Sequence, residues 1–386
     1  MTRKPLVAFV TPGTFAMPSE RQSSVERIVG SLAPHLLRDF RVCVFSRRGA
    51  GFSTTQTVRG VLHIRPSAGK GGKRYALRTL RWLRKLDPAF IQVENRPRLA
   101  SWIKRRMRHK RVWLSLHSLT FVTRPHIAAA ELRRCLSDVD RIVVNSEFLK
   151  SQIAALAPAE SHKIVVNYPG VDEERFTPRW SPEGEERRRL LLDRLGYRDK
   201  RIVLYAGRLI EIKGVHHLLR AVPDIAAAFP DTVVVVVGSA FYGSDRLTPY
   251  VHMLHREGGK YPRHVRFIPY VGHDELPDWY KLADVAVVPS FEREAFGLVN
   301  AEAMASGVPV IATDAGGIRE VVEHGETGLL LPPEELPFRL PHAICRLLGD
   351  PDEARRMGEA GWRRVHDRFT WRHSAERLAA LYRQSF

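Results

Sequence analysis

"RIVLYAGRLIEIKGVHHLLRAVPDIAAAF", residues 201–229, holds a complete strand, turn and helix in one reading. The first six residues are apolar and β-branched without alternation, which suits a strand buried on both faces. Gly207 stops the run and lets the chain turn. "VHHLLRAVPDIAAAF" then places its apolar residues at helical spacing. The same pattern recurs on either side. Before it stand "LVAFVTP", "RVCVFS", "FIQVEN", "RVWLSL", "RIVVNS" and "KIVVNY"; after it come "TVVVVVG", "VRFIPY", "VAVVPS", "PVIAT" and "GLLLP". Strands alternating with helical segments give an α/β fold of parallel sheets covered on both faces. The alternation runs twice without sequence repetition, so the chain predicts two Rossmann-like domains.

The first domain is expected over 1–171 and the second over 199–365. Between them, 172–198 reads as a hinge, because "DEERFTPRWSPEGEERRR" (172–189) is polar and lacks an apolar period. The tail, 366–386, reads as a final amphipathic helix. Two such domains leave a cleft at the carboxyl ends of their strands, where ligands of open α/β sheets bind.

Across 386 residues the net charge is +19. Residues 1–170 hold 31 Lys+Arg against 10 Asp+Glu, a balance of +21, and the remainder balances at −2. The first domain therefore faces something anionic. Three scattered cysteines, Cys43, Cys135 and Cys345, argue against a disulfide framework and fit a reducing cytoplasm. The opening residues lack the apolar core of a signal peptide, and no run is long enough to span a bilayer.

Chemistry concentrates at two turns. In "GRLIEIKG" (207–214), Arg208 and Lys213 put two cations beside the start of a helix, a setting for a diphosphate. Many strand–helix turns carry such a pair, so this signal is weak alone. "SFEREAFGLVNAEAMASG" (290–307) adds Glu294 on a loop, Phe296, Gly297 and Leu298 at a helix start, and Glu302 about one turn inside. Carboxylates accept from sugar or ribose hydroxyls, and helix-start amides suit phosphate oxygens. The bland alternative is a capping Glu294 and a solvent-facing Glu302.

Together, "GRLIEIKG" and the two glutamates seven residues apart resemble the retaining glycosyltransferases of GT-B fold numbered family 4. "NYPGVDEERFTP", "YVGHDELPDWYKLADVAVVPS" and the tail "FTW…LYRQSF" extend the resemblance over most of the chain. "TPGTFAMPSERQSSVERIV" and "VVGSAFYGSDR" bring it nearest to the bacterial spore-coat-associated members. The resemblance implies two domains facing each other across a cleft, with the last helix crossing back to the first. It gives the donor diphosphate to Arg208 and Lys213, the transferred sugar to Glu294, and the ribose to Glu302. The amides of Phe296, Gly297 and Leu298 would lie near sugar and phosphate, and Gly207 would also belong to the donor site. The backbone at Tyr270 and Val271 would meet the base, and His117 would stand near the reacting centre. The family's first-loop glycine pair is replaced here by Ser23 and Ser24, which puts close approach of that loop to phosphate in doubt.

The resemblance therefore implies sugar transfer from a UDP- or GDP-linked donor by a front-face, retaining route, without cofactor or metal. The Asp138–Asp140 pair ends a helix, where capping is the simpler role. The acceptor would be a glycan or an anionic polymer or lipid. Residues 70–111 carry 15 Lys+Arg against Asp87 and Glu94, and "KRYALRTLRWLRKLD" forms an amphipathic helix. Its cationic side would either be solvated or dock on an anionic membrane at the cytoplasmic face. Nucleic acid is not expected, since no reading motif accompanies the charge. A coat or assembly protein that kept the fold and lost turnover is the rival reading.

Overall fold

The computed structural model describes residues 4–19, 23–68, 72–241, 247–291 and 294–385; "YGSDR" (242–246) and Lys70 lie outside them. The chain divides into two units, Met1–Gly170 with Trp371–Phe386, and Val171–Thr370.

Eight strands among the described residues build the first unit: β1 (Leu6–Val10), β2 (Arg41–Phe45), β3 (Thr55–Val58), β4 (Val61–Ile64), β5 (Phe90–Glu94), β6 (Arg111–Leu116), β7 (Arg141–Val144) and β8 (Ile164–Val166). Their order is β3-β4-β2-β1-β5-β6-β7-β8, parallel except for the β3–β4 hairpin. β1 and β5 are buried along their whole length, as uninterrupted apolar runs require. The helix Trp371–Arg383 belongs to this unit. Its Tyr382 is fully buried, with ring centroids 4.7 Å from both Phe90 and Trp113, and its hydroxyl donates to Gln92 Oε1 at 2.6 Å.

Six strands among the described residues form the second sheet: β9 (Arg201–Ala206), β10 (Thr232–Val237), β11 (Val265–Ile268), β12 (Val285–Val288), β13 (Val310–Thr313) and β14 (Gly328–Leu331). All pair in parallel, in the order β11-β10-β9-β12-β13-β14. This is the 3-2-1-4-5-6 doubly wound order, whose direction reverses between β9 and β12. The helix Val215–Ala228 packs Val215, Leu218, Leu219, Val222 and Ile225 into the core beneath β9 and β10.

Residues 172–198 are more regular than their composition suggests. A fourteen-residue helix, Pro182–Leu195, fills most of the stretch and lies within the second unit. Ser181 caps it by accepting from Gly184 N, and Gly196 closes it in the left-handed region. Leu191 and Leu192 are its buried large apolar residues. Ion pairing of Arg187 with Asp278 helps tie it to the helix Leu276–Leu282. So few inward residues leave no apolar period to read.

Candidate functional site

The order of the second sheet reverses between β9 and β12, the switch point at whose carboxyl edge ligands of such sheets bind. Gly207 ends β9 by donating to Val237 O at 3.0 Å, and the chain passes Arg208 before the short turn Glu211–Lys213. Gly214 follows with φ +69 and opens the helix Val215–Ala228. A Cβ on Gly214 would run into the Pro289 carbonyl, so only glycine lets this loop lie against the one after β12. Phe291 N donates to Ile212 O at 2.9 Å and joins the two loops directly.

This joining brings Lys213 and Glu294 into an ion pair. Their side chains are 18% and 21% exposed, shielded yet still reachable. Burial works to raise the Glu294 carboxyl. The Lys213 ammonium, its hydrogen bond and the Arg208 guanidinium outweigh that, so Glu294 stays below its ordinary value and ionised. From the third loop, Gly317 N donates to Glu294 O at 2.9 Å, and Gly316 lies too close to that backbone to carry a side chain. Loops from β9, β12 and β13 thus fix Glu294, whose carboxylate pairs with Lys213 and feels the charge of Arg208.

Gly297 caps the helix Leu298–Ala305 at φ +84, and a Cβ there would stand within 2.5 Å of Asn300 Nδ2. Phe296 points into the core, 2% exposed and edge-on to Phe369 at 5.6 Å. Leu298, the first helical residue, is half-buried. Glu302 sits one turn in and is 3% exposed, so it does not face solvent. Tyr270 and Val271 are half-buried just beyond β11. They share the carboxyl edge with Arg208, two strand spacings away, or about 10 Å. The sequence-predicted residues of the second domain therefore gather along one edge of one sheet.

Ser23, Ser24 and His117 belong to the first unit. Ser23 precedes the helix Ser24–His35 with φ −79, an extended conformation open to any residue, so the serine pair is unstrained. Its hydroxyl donates to Glu26, a fully buried carboxyl raised by burial. His117 follows β6, and its Nε2 lies 2.7 Å from Glu94 Oε2 and 3.3 Å from Ser115 Oγ. Its backbone N donates to Asn95 Oδ1 at 2.8 Å, with Asn95 held in the left-handed region at φ +51. Glu94 escaped the sequence reading. Its place beside the histidine comes from the pairing of β5 with β6, whose register sets Glu94 opposite Ser115, two residues from His117.

Asp138 and Asp140 are occupied structurally. Asp138 accepts from Ser101 and Arg105, and Asp140 from Lys104 and Val112 N. Among the described residues no three His, Cys, Asp or Glu side chains group as metal ligands.

The sequence profile of the glycosyl transferases group 1 matches residues 193–364, and that of glycosyltransferase family 4 matches 25–175. Spore coat protein SA of Bacillus subtilis is 31% identical over 98% of this chain and 99% of its own. Among solved structures, sucrose-phosphate synthase of Thermosynechococcus elongatus superposes with a TM-score of 0.82, at 26% identity over 100% of this chain and 99% of its own. HepE of Anabaena, in complex with UDP-glucose, reaches 0.79 at 20% identity over 99% and 100%.

Proposed function

The chain belongs to the glycosyl transferases of group 1 and has their GT-B fold, and on that footing we propose that it moves a sugar, with retention, from a nucleoside-diphosphate sugar to an acceptor. One observation carries the reading: Glu294, ionised and paired with Lys213 beside Arg208, at the switch point of a doubly wound sheet. A diphosphate arriving there is the better partner for Lys213, and it frees the carboxylate to accept from sugar hydroxyls. An ionised Glu294 is a hydroxyl acceptor rather than a proton donor. Glu302 takes the ribose, and the backbone after β11 takes the base.

As the glycosidic bond breaks, negative charge grows on the leaving diphosphate. Arg208 and Lys213 then bind the transition state more tightly than the ground state, which is what lowers the barrier. The leaving phosphate removes the acceptor proton on the face it departs from, which gives retention. In the first unit Glu94 orients His117, to which the family resemblance assigns a part in the transfer. UDP-glucose in HepE supports a nucleoside-diphosphate donor.

For the acceptor, the helix Gly72–Leu86 matters. Tyr75, Thr79, Leu80 and Leu83 are buried, while Lys73, Arg74, Arg78, Arg81, Arg84 and Lys85 are exposed. This cationic face supports an acceptor that is, or is carried on, an anionic lipid or polymer. The likeness to a spore coat protein supports a second reading, an assembly component without turnover.

The test is a panel of UDP- and GDP-sugars assayed with chelator present, reading release of the nucleoside diphosphate and the anomer formed. Release with retained anomeric configuration is expected. Binding without release across the panel would favour the assembly reading instead.

A further inference from the structure

The second unit has another concavity at the opposite edge of its sheet. A cavity of about 530 Å³ opens beside the amino ends of β9, β12 and β13, at Arg201, Asp284 and Pro309. Strand length at about 3.3 Å per residue sets it roughly 20 Å from the Arg208–Lys213 turn. Its volume is that of a small-molecule site, and Leu192, Pro309, Leu347 and Leu348 give it an apolar wall.

The polar lining is cationic. Arg179, Arg188, Arg189, Arg198, Arg201 and Arg355 face three carboxylates, Glu185, Asp193 and Asp284. Two of those are already engaged. Asp284 Oδ1 accepts from Arg179 at 2.9 Å and Arg188 at 2.8 Å, and its Oδ2 accepts from Ile202 N at 2.8 Å. Both Asp193 oxygens accept from Arg198 at 2.6 Å. Arg189, Arg201 and Arg355 pair in turn with Glu186, Asp231 and Glu359, so the formal charges balance, and what exceeds the acceptors is the number of guanidinium N–H groups, five on each arginine. Among the described residues, Arg188 Nε and Trp180 Nε1 are buried without an acceptor, and both residues line the cavity. Burial and the adjacent Arg179 hold Arg188 below its ordinary value, with Asp284 offsetting part of this.

We propose that this cavity is a second binding site, for a small phosphorylated molecule. Phosphate oxygens match the planar forks of several guanidiniums, take the orphaned donors, and leave the sugar or base of the ligand to the leucine wall. The site is separate from the diphosphate grip at the carboxyl edge, and it stands whether or not the donor reading holds.

Calorimetry on the full chain with inorganic pyrophosphate and with hexose 6-phosphate tests it. The variants are Arg189→Gln/Arg198→Gln/Arg355→Gln, whose side chains are more than half exposed, and Lys213→Ala. Hexose phosphate is expected to bind wild type and Lys213→Ala alike, and to bind the triple variant about tenfold or more weakly. An unchanged melting temperature of the triple variant shows that its fold is intact; Arg188→Gln repeats the test if that temperature falls. Absence of binding at millimolar concentration, equal affinity in wild type and both cavity variants, or binding lost only in Lys213→Ala would each overturn the proposal.

Discussion

Lys213 and Glu294 are 81 residues apart in sequence and in direct contact in the fold. Each neutralises the other, and the proposed donor would separate them. Lys213→Ala should therefore lower turnover by about 10²–10³, the cost of one lost oxyanion donor, while the chain stays folded. Steady-state release of nucleoside diphosphate measures it, and wild-type turnover in the variant would remove Lys213 from the mechanism. Glu294→Gln keeps the shape and removes the charge. It should weaken binding of the whole sugar nucleotide more than that of the bare nucleoside diphosphate, since the carboxylate is assigned to the sugar. Equal loss for both ligands in calorimetry would assign it to the phosphates instead. The two residues were legible as types at a spacing. Their pairing was not, because it depends on strand order, which sequence spacing does not encode.

Among elements, the turn at Gly214 holds the site together. Gly214→Ala forces a side chain into the Pro289 carbonyl and strains a left-handed residue, so it must push the β9 and β12 loops apart. Activity should fall at least tenfold with a modest loss of stability, about 1–3 kcal/mol. Denaturant melts and kinetics on one preparation check both, and an active variant would show the loops to be independent. Buried strands were the most legible elements, since "TVVVVV" can satisfy its side chains only between two layers. The hairpin of β3 and β4 went unread because β3 is "TQTV", an exposed edge strand without apolar content. The helix Pro182–Leu195 was hidden for a related reason: caps and ion pairs hold it, and these leave no periodic mark. Glu94 was hidden because its role comes from the neighbouring strand.

At the scale of the whole molecule, each unit carries a buried histidine that resists protonation. Burial, and then Arg65, lower His63 to about 4 in the first unit. In the second, burial, His216 and Arg220 lower His217 to about 4. Both start from 6.5, so the unfolded chain takes up these protons first. The stability they confer is fully present above pH 6.5 and is lost as pH falls from 6.5 toward 4. It amounts to at most roughly 3 kcal/mol for each, and less where water screens the ring. Scanning calorimetry should show melting temperatures falling across that window, and falling less in His63→Gln/His217→Phe. Identical pH profiles for variant and wild type would contradict the assignment. The charge asymmetry works at this scale too. The +21 of residues 1–170, against a near-neutral remainder, is the basis of the docking on an anionic surface proposed for the first unit.

We propose that the edge between β9 and β12 grips a diphosphate. Its most direct test is the dissociation constant of UDP and of GDP, measured by calorimetry on wild type and on Lys213→Ala. Binding of at least one of them, weakened about tenfold or more by the substitution, is the predicted result. Binding of equal strength in both proteins, or of neither nucleotide to wild type, would contradict it.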